Sequence, residues 1–325
     1  MNIVLSGSVA FDYLMTFPGY FRDHILPDHL DSISLSFLVD SMTRLRGGVA
    51  PNIAYTLALL GEHPYLFATV GEDFEEYRSL LEQKGVDTSG ARVVPGVFTA
   101  SFFANTDRAN AQISSFYPGA MAYASDLSLR DIEKYHPDLV VISPNDPAAM
   151  SRNVEECQEL AIPYIYDPSQ QIVRLSAEEL KRGIQGALAL FVNEYEYALI
   201  RKVTHEDPED LLGSLSSRDN SFMVVTQGEN GSRIDSRAGS VHVPIVPPEK
   251  IVDPTGVGDA FRGGFLAGYS HALDWETCGR MGSLAATYCL EQRGTQGHSY
   301  SAAEFLARFR RNFDDQNKLN FLVEK

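Results

Sequence analysis

The stretch LVVISPNDPAAMSRNVEECQELAIPYIYD, residues 139–167, decides the fold class. It opens on a continuous apolar run, Leu139–Ser143, and closes on another, Tyr164–Asp167. An amphipathic helix is predicted between them, over Asp146–Leu160. Apolar runs without polar alternation suit strands covered on both faces, so strand, helix, strand reads as one βαβ unit of a parallel sheet. The pattern recurs on either side. Further strands are predicted at Ile3–Val9, Tyr65–Val70, Leu188–Val192 and Phe222–Thr226. Helices are predicted at Asn52–Leu60, Phe74–Lys84, Ala177–Gly183 and Glu194–Arg201, and three more near Val257–His271, Trp275–Glu291 and Ala302–Asn312. The expectation is an α/β fold with helices on both faces of a mostly parallel sheet.

Two stretches break that rhythm. Residues 12–46 hold much Phe, Leu, Ser and Asp but no long helical period. Residues 97–117, VFTASFFANTDRANAQISSFY, read as two strands around a polar turn at Asn105–Asn110. Phe98, Ala100, Phe102 and Ala104 should share one face by the period of two. The expected organisation is therefore a core of residues 1–11, 47–95 and 120–325, with a small β lid from 12–46 and 96–119 that could close over a cleft.

Composition narrows the function classes. The chain has 325 residues, 44% hydrophobic, enough to bury a core without staples. Its formal net charge of −16 argues against nucleic acid or an anionic membrane as partner, since both recruit basic patches. Cys157, Cys278 and Cys289 are odd in number and widely spaced, which suits neither a disulfide framework nor zinc and fits a reducing cytoplasm. The opening MNIVLSGSVAFDYLM has no basic segment, so no signal peptide is expected. No apolar run approaches ~18 residues, so no membrane span is expected.

Four segments carry chemistry. In IVDPTGVGDAFRGGFLAG, residues 251–268, Gly256-Val257-Gly258 leads into a helix whose first turn holds Asp259. Glycines at such a junction let backbone N–H groups converge, and the helix dipole adds positive potential, which makes an anion cradle. A carboxylate beside it suits proton removal from a hydroxyl that attacks a phosphoryl group. Arg262, one turn on, could add charge to the cradle. The plain alternative is an N-terminal helix end with Asp259 complementing the dipole. In RLRGGVAPNIAYTLALLG, residues 44–61, Gly47-Gly48 permits close backbone approach, and Asn52 could cap a helix or reach a ligand hydroxyl. Asn193 and Glu196 follow a strand and could hold hydrated Mg²⁺, or simply start a helix. Thr226-Gln227-Gly228-Glu229-Asn230-Gly231 could cradle a nucleotide or make a hairpin turn. No G-x-x-x-x-G-K-[ST] occurs, and no complete dinucleotide fingerprint follows the first strand.

In this order the four segments resemble the PfkB (ribokinase-like) family of small-molecule kinases. The family's D-T-x-G-A-G-D signature reads DPTGVGD here, with Pro254 and Val257 as departures that spare both aspartates. Within the family the chain is most similar to bacterial adenosine kinases, through SGSVAFDYLMTFPG, LSFLVD, RGGVAPN, ISSFYPGAM, DPSQQ and the GTQ near residue 295. The resemblance implies a ribokinase-like three-layer αβα fold with a small β lid, and an enzyme that uses ATP and Mg²⁺ to phosphorylate the 5′-hydroxyl of adenosine. Monovalent-cation activation is common in the family.

Residue by residue, it implies Asp259 as catalytic base and Gly256, Val257 and Gly258 as the anion hole. Asp12 would bind two ribose hydroxyls, with Ser8, Ser36, Gly48 and Asn52 around the sugar. Phe102 and Phe116 would sandwich the purine, and Gln170 or Gln171 would touch its edge. Asn193 and Glu196 match the Mg²⁺–phosphate motif, and Thr226, Gly228, Gly231 and Gly258 the ATP site. Ser36 as a turn residue and the two phenylalanines as lid core are the plain alternatives. The rival functions are a sugar kinase of the same fold, for ribose or a hexose, and a nucleoside-binding module without catalysis. His24 and His29 fall in the lid, where a metal site is the minor reading. A homodimer through an apolar lid face is also expected to be accessible.

Overall fold

The computed structural model describes residues 1–32 and 34–324. In chain order the first part runs β1 (Ile3–Ser6), β2 (Ala10–Thr16), β3 (Ser41–Gly47), α1 (Val49–Leu59), β4 (Tyr65–Val70), α2 (Glu75–Lys84) and β5 (Ala91–Val93). Then come β6 (Ala100–Thr106), β7 (Gln112–Tyr117), β8 (Leu139–Ile142), α3 (Pro147–Glu159), β9 (Tyr164–Tyr166), α4 (Ala177–Ile184), β10 (Ala189–Asn193), α5 (Glu194–Thr204) and α6 (Pro208–Ser214). The chain ends with β11 (Phe222–Thr226), β12 (Ser232–Ser236), β13 (Gly239–Val243), α7 (Val257–Ser270), α8 (Trp275–Leu290) and α9 (Ala302–Asn312).

Among the described residues, nine strands make the main sheet in the order β13-β12-β11-β10-β9-β8-β1-β4-β5. From β11 to β5 every pairing is parallel, and β12 and β13 extend the sheet antiparallel. Alternation along each strand divides the interior in two. Leu5, Leu66, Val141, Ile165, Phe191 and Val224 join the core under α1, α7, α8 and α9. Val4, Phe67, Val140, Tyr164, Leu190 and Met223 join the core under α3, α4 and α5. This is the three-layer αβα arrangement expected of doubly covered strands.

Local chemistry sets the helix starts. Asp146 caps α3, accepting from the Ala148 and Ala149 N–H groups, with Pro147 in the first turn. Ser176–Glu179 and Ser301–Glu304 form reciprocal capping boxes on α4 and α9. Glycines let α7 sink between its neighbours. A β-carbon on Gly263 would come 2.6 Å from Thr56 Cβ on α1, and one on Gly264 would come 2.6 Å from the Met281 carbonyl on α8.

The second sheet has the order β3-β2-β6-β7. Its first strand is where expectation and structure differ. The predicted strand Ile3–Val9 stops at Ser6 because the chain turns away: Gly7 packs against Ser143 and Ala50, and the Ser8 N–H bonds to the Pro144 carbonyl. β2 then starts at Ala10, two residues before the expected lid boundary. Phe98 precedes β6 and is 64% exposed, so it does not join the face of Ala100, Phe102 and Ala104. α6, β5 and β13 were not predicted; the exposed Arg92 and Val93 of β5 make no apolar run.

Candidate functional site

Asp259 occupies the first turn of α7, and a chain of side chains holds it there. Asn52 Nδ2, on α1, donates to Asp259 Oδ2 at 2.8 Å. Asn52 Oδ1 accepts from Gln296 Nε2 at 2.9 Å. Gln296 Nε2 also donates to the Tyr77 hydroxyl, which donates to the Gly47 carbonyl at 3.0 Å. With its oxygen taken by a donor, the Asn52 amide turns its nitrogen to the carboxylate. Asn52 was expected as a possible helix cap. The N-cap is instead Gly48, at φ +95, where a β-carbon would fall 2.4 Å from the Ser8 carbonyl oxygen. Burial pushes the Asp259 carboxyl up to about 7, against the lowering effects of the Arg262 guanidinium and the Asn52 bond. Asp167 and Glu196 add to the rise.

Beside Asp259 lies the turn expected to cradle an anion. Gly256 is the N-cap of α7 at φ +79, and a β-carbon there would meet Thr295 Cβ at 2.8 Å. The first amides of an α-helix have no acceptor within it, and the dipole favours negative charge at that end. Asp253 braces the approach, accepting from the Thr255 and Gly294 N–H groups at 2.9 Å each.

Asp259 and Gly256 open onto a cavity of about 810 Å³, within the range of about 300–1,000 Å³ usual for small-molecule sites. The opposite wall is the smaller sheet, and strand register explains its composition. Asp12 on β2 pairs with Leu45 on β3 and Phe102 on β6, and Phe102 pairs with Phe116 on β7. All four residues of this row line the cavity. Burial, reinforced by the neighbouring Asp253 charge, pushes the Asp12 carboxyl up to about 6. Phe102 and Phe116 lie side by side on one face of the sheet. Slabs on opposite sides of a flat ligand would therefore have to come from this face and from Met121 or the short turn Ser169–Val173, which brings Gln170 and Gln171 to the cavity.

The structure thus gathers Ser8, Asp12, Gly48, Asn52, Phe102, Phe116, Gln170, Gln171, Gly256 and Asp259 around one space. Others stand apart. Ser36 is exposed and outside the cavity lining. Val257 and Gly258 continue the turn behind Gly256 without lining the cavity. Asn193, Glu196, Thr226, Gly228 and Gly231 lie at the carboxyl ends of β10 and β11 and in the turn that follows. Glu196 is near enough to act electrostatically on Asp259. Asn193 and Glu196 form a capping box on α5: the Asn193 N–H donates to Glu196 Oε2, and the Glu196 N–H to Asn193 Oδ1, each at 2.8 Å. Glu196 Oε1 accepts from Ser169 Oγ at 3.1 Å. Arg262 does not face the cradle directly. Its Nη2 donates to Asp167 Oδ1 at 2.6 Å, in a pair buried at both ends. Leu45, Tyr77 and Gln296 were not anticipated; the pairing of β2 with β3 and the bonds to Asn52 reveal them.

No group of three or more His, Cys, Asp or Glu suited to a metal ion occurs among the described residues. His24 packs edge-on against Phe17 and Phe37. No helix among the described residues is long and apolar enough to cross a membrane.

A family model for pfkB family carbohydrate kinases matches residues 10–302. The chain is 32% identical over 313 residues to the nucleoside kinase of Methanothermobacter thermautotrophicus, covering 95% of each. It is 28% identical over 278 residues to the cytidine kinase of Thermococcus kodakarensis, covering 84% of this chain and 97% of that one. The ligand-free nucleoside kinase of Burkholderia thailandensis superposes with a TM-score of 0.83 at 36% identity, over 94% of this chain and 99% of that one. That enzyme is also known in complex with inosine, to which this chain superposes with a TM-score of 0.79.

Proposed function

The chain belongs to the PfkB family of carbohydrate kinases, and from that premise we propose that it is an ATP-dependent nucleoside kinase whose acceptor is the 5′-hydroxyl of a purine nucleoside, adenosine first. One observation carries the reading: the row Leu45–Asp12–Phe102–Phe116 faces Asp259 across a single cavity. A carboxylate accepts from two ribose hydroxyls at once. Aromatic faces contribute about 1–3 kcal/mol per stacked base, which a bare sugar cannot collect. Nucleoside substrates of the two named relatives and the inosine-bound enzyme support the class.

Asp259 then removes the proton of the 5′-hydroxyl as its oxygen bonds to the γ-phosphorus. The bond from that phosphorus to the ADP oxygen breaks in line. Charge developing on the transferred group meets the amino end of α7, which opens to the cavity at Gly256, and its helix dipole. A carboxyl titrating at about 7 is matched to this work near neutral pH. The sheet above the cavity serves as a lid that keeps water from the phosphoryl group. The nucleotide belongs at the ends of β10 and β11, against Asn193 and the Thr226–Gly231 turn. Mg²⁺, when bound there, would supply charge neutralisation for the phosphates. Glu196, whose oxygens accept from Ser169 Oγ and the Asn193 N–H, would hold such an ion through water.

The test is a substrate panel with ATP: adenosine, inosine, cytidine, ribose and fructose, scored by ADP release. Adenosine or inosine is expected to lead. Preference for cytidine would overturn the purine assignment, and preference for a free sugar the nucleoside assignment. Nucleoside binding without ADP release would make the protein a binding module. Asp259→Asn is expected to fold and to lose about 10²–10⁴ in kcat; wild-type turnover in that variant would remove Asp259 as the base.

A further inference from the structure

The mechanism leaves one buried charge pair unused. Arg262 and Asp167 are almost wholly enclosed, with side chains 10% and 0% exposed. Arg262 belongs to the second turn of α7; Asp167 follows β9 and begins the segment that carries Gln170 and Gln171. The guanidinium makes its 2.6 Å bond to Asp167 through Nη2, while Nη1 lies against Gly258. A β-carbon placed on Gly258 would come 2.9 Å from Nη1, so the glycine is what lets the guanidinium approach the amide turn. Arg262 Nε has no acceptor. A buried ion pair with an idle donor is weak evidence for a stabilising role, because desolvation offsets its attraction.

We propose that Arg262, oriented by Asp167, is a positioning residue for phosphoryl transfer: it sets a fixed positive charge against the Gly256–Gly258 turn, about one helical turn along α7 from Asp259. The inference rests on the kinase reading above and deepens it. Asp259 faces charge from three elements. Arg262 of α7 favours its ionised form, whereas Asp167 after β9 and Glu196 of α5 oppose it. Asn52 of α1 is neutral. Tyr77 of α2 and Cys289 of α8 are kept protonated at neutral pH by burial, so neither adds charge. Arg262 is the largest of the charge effects on Asp259, exceeding Asp167.

This arrangement makes the two partners act in opposite directions, which a merely structural pair would not do. The acid limb of kcat/KM, near pH 7 in the wild type, is expected to move up in Arg262→Met and down in Asp167→Asn, with Arg262→Lys close to the wild type. Nucleoside KM should change less than kcat in all three. The Arg262→Met/Asp167→Asn double variant leaves neither charge unpaired and is the readable variant where a single one fails to fold. Its limb should also move up, by less than for Arg262→Met. A limb unmoved in the double variant, or moved the same way by both single variants, overturns the proposal. Carboxyl-carbon NMR titration of the free protein, with Asp259→Asn identifying the resonance, reads the same shifts without turnover. If the titration shifts and no nucleoside is phosphorylated, the kinase reading fails and the electrostatic coupling stands. If nucleosides are phosphorylated and the titration does not shift, the coupling alone fails.

Discussion

Asp259 and Asp12 show what burial does to a carboxyl, and the consequence reaches stability as well as catalysis. Both titrate above an ordinary aspartate, at about 7 and about 6. The folded state therefore holds these protons more tightly than the unfolded chain does. Their contribution to stability is full below about pH 4 and is lost as pH rises through the folded values. Asp259→Asn is accordingly expected to melt higher than the wild type at pH 8, with the gap closing toward pH 4 in calorimetric scans at both ends. On the proposed mechanism the same carboxyl must be ionised to act, so kcat/KM should fall about tenfold per pH unit below the limb near 7. Asp12→Asn keeps the shape but accepts from fewer hydroxyls, so it should raise nucleoside KM more than it lowers kcat. The two carboxyls were legible as candidates in DPTGVGD and SVAFD. The strength of the perturbation was not, because it depends on what encloses each carboxyl.

Elements matter here through where their ends meet. The amino terminus of α7 takes its shape from Gly256, left-handed and packed against Thr295. Gly256→Ala adds a β-carbon where there is no room, and the strained residue should swing the first amides out of line. Loss of about 10²–10³ in kcat is expected, comparable to removal of one oxyanion donor, with ATP KM and the melting temperature as controls. On the smaller sheet, Phe102→Ala should raise the KM for adenosine and leave ribose phosphorylation, if any, unchanged. The four helices α3, α4, α7 and α9 lay close to their expected bounds because caps, glycines and apolar period agree there. The end of β1 and the start of α1 were misplaced by a few residues, since Gly7 and Gly48 serve close approaches between segments distant in sequence.

At the scale of the molecule, two cores flank one sheet, and the site lies where α1, α7 and the second sheet converge. Cys157, Cys278 and Cys289 are all interior, and burial pushes their thiols well above the usual range. Under native conditions none is expected to react with a thiol reagent, and all three should react in denaturant. Rapid labelling of the folded protein would show that its core opens more readily than its packing indicates.

Alternating apolar runs, helix caps and glycine-rich junctions act within about twenty residues of themselves, so most of the order of strands and helices, the glycine turn and its adjacent acid were readable from the chain alone. The partnerships were not. Which residue stands opposite Asp12, which amide grips Asp259 and which acid holds Arg262 depend on register and packing between segments up to 207 residues apart. Those contacts arise only when the sheets assemble, because a hydrogen bond or a strand pairing is a statement about distance, and distance between remote segments is set by the fold.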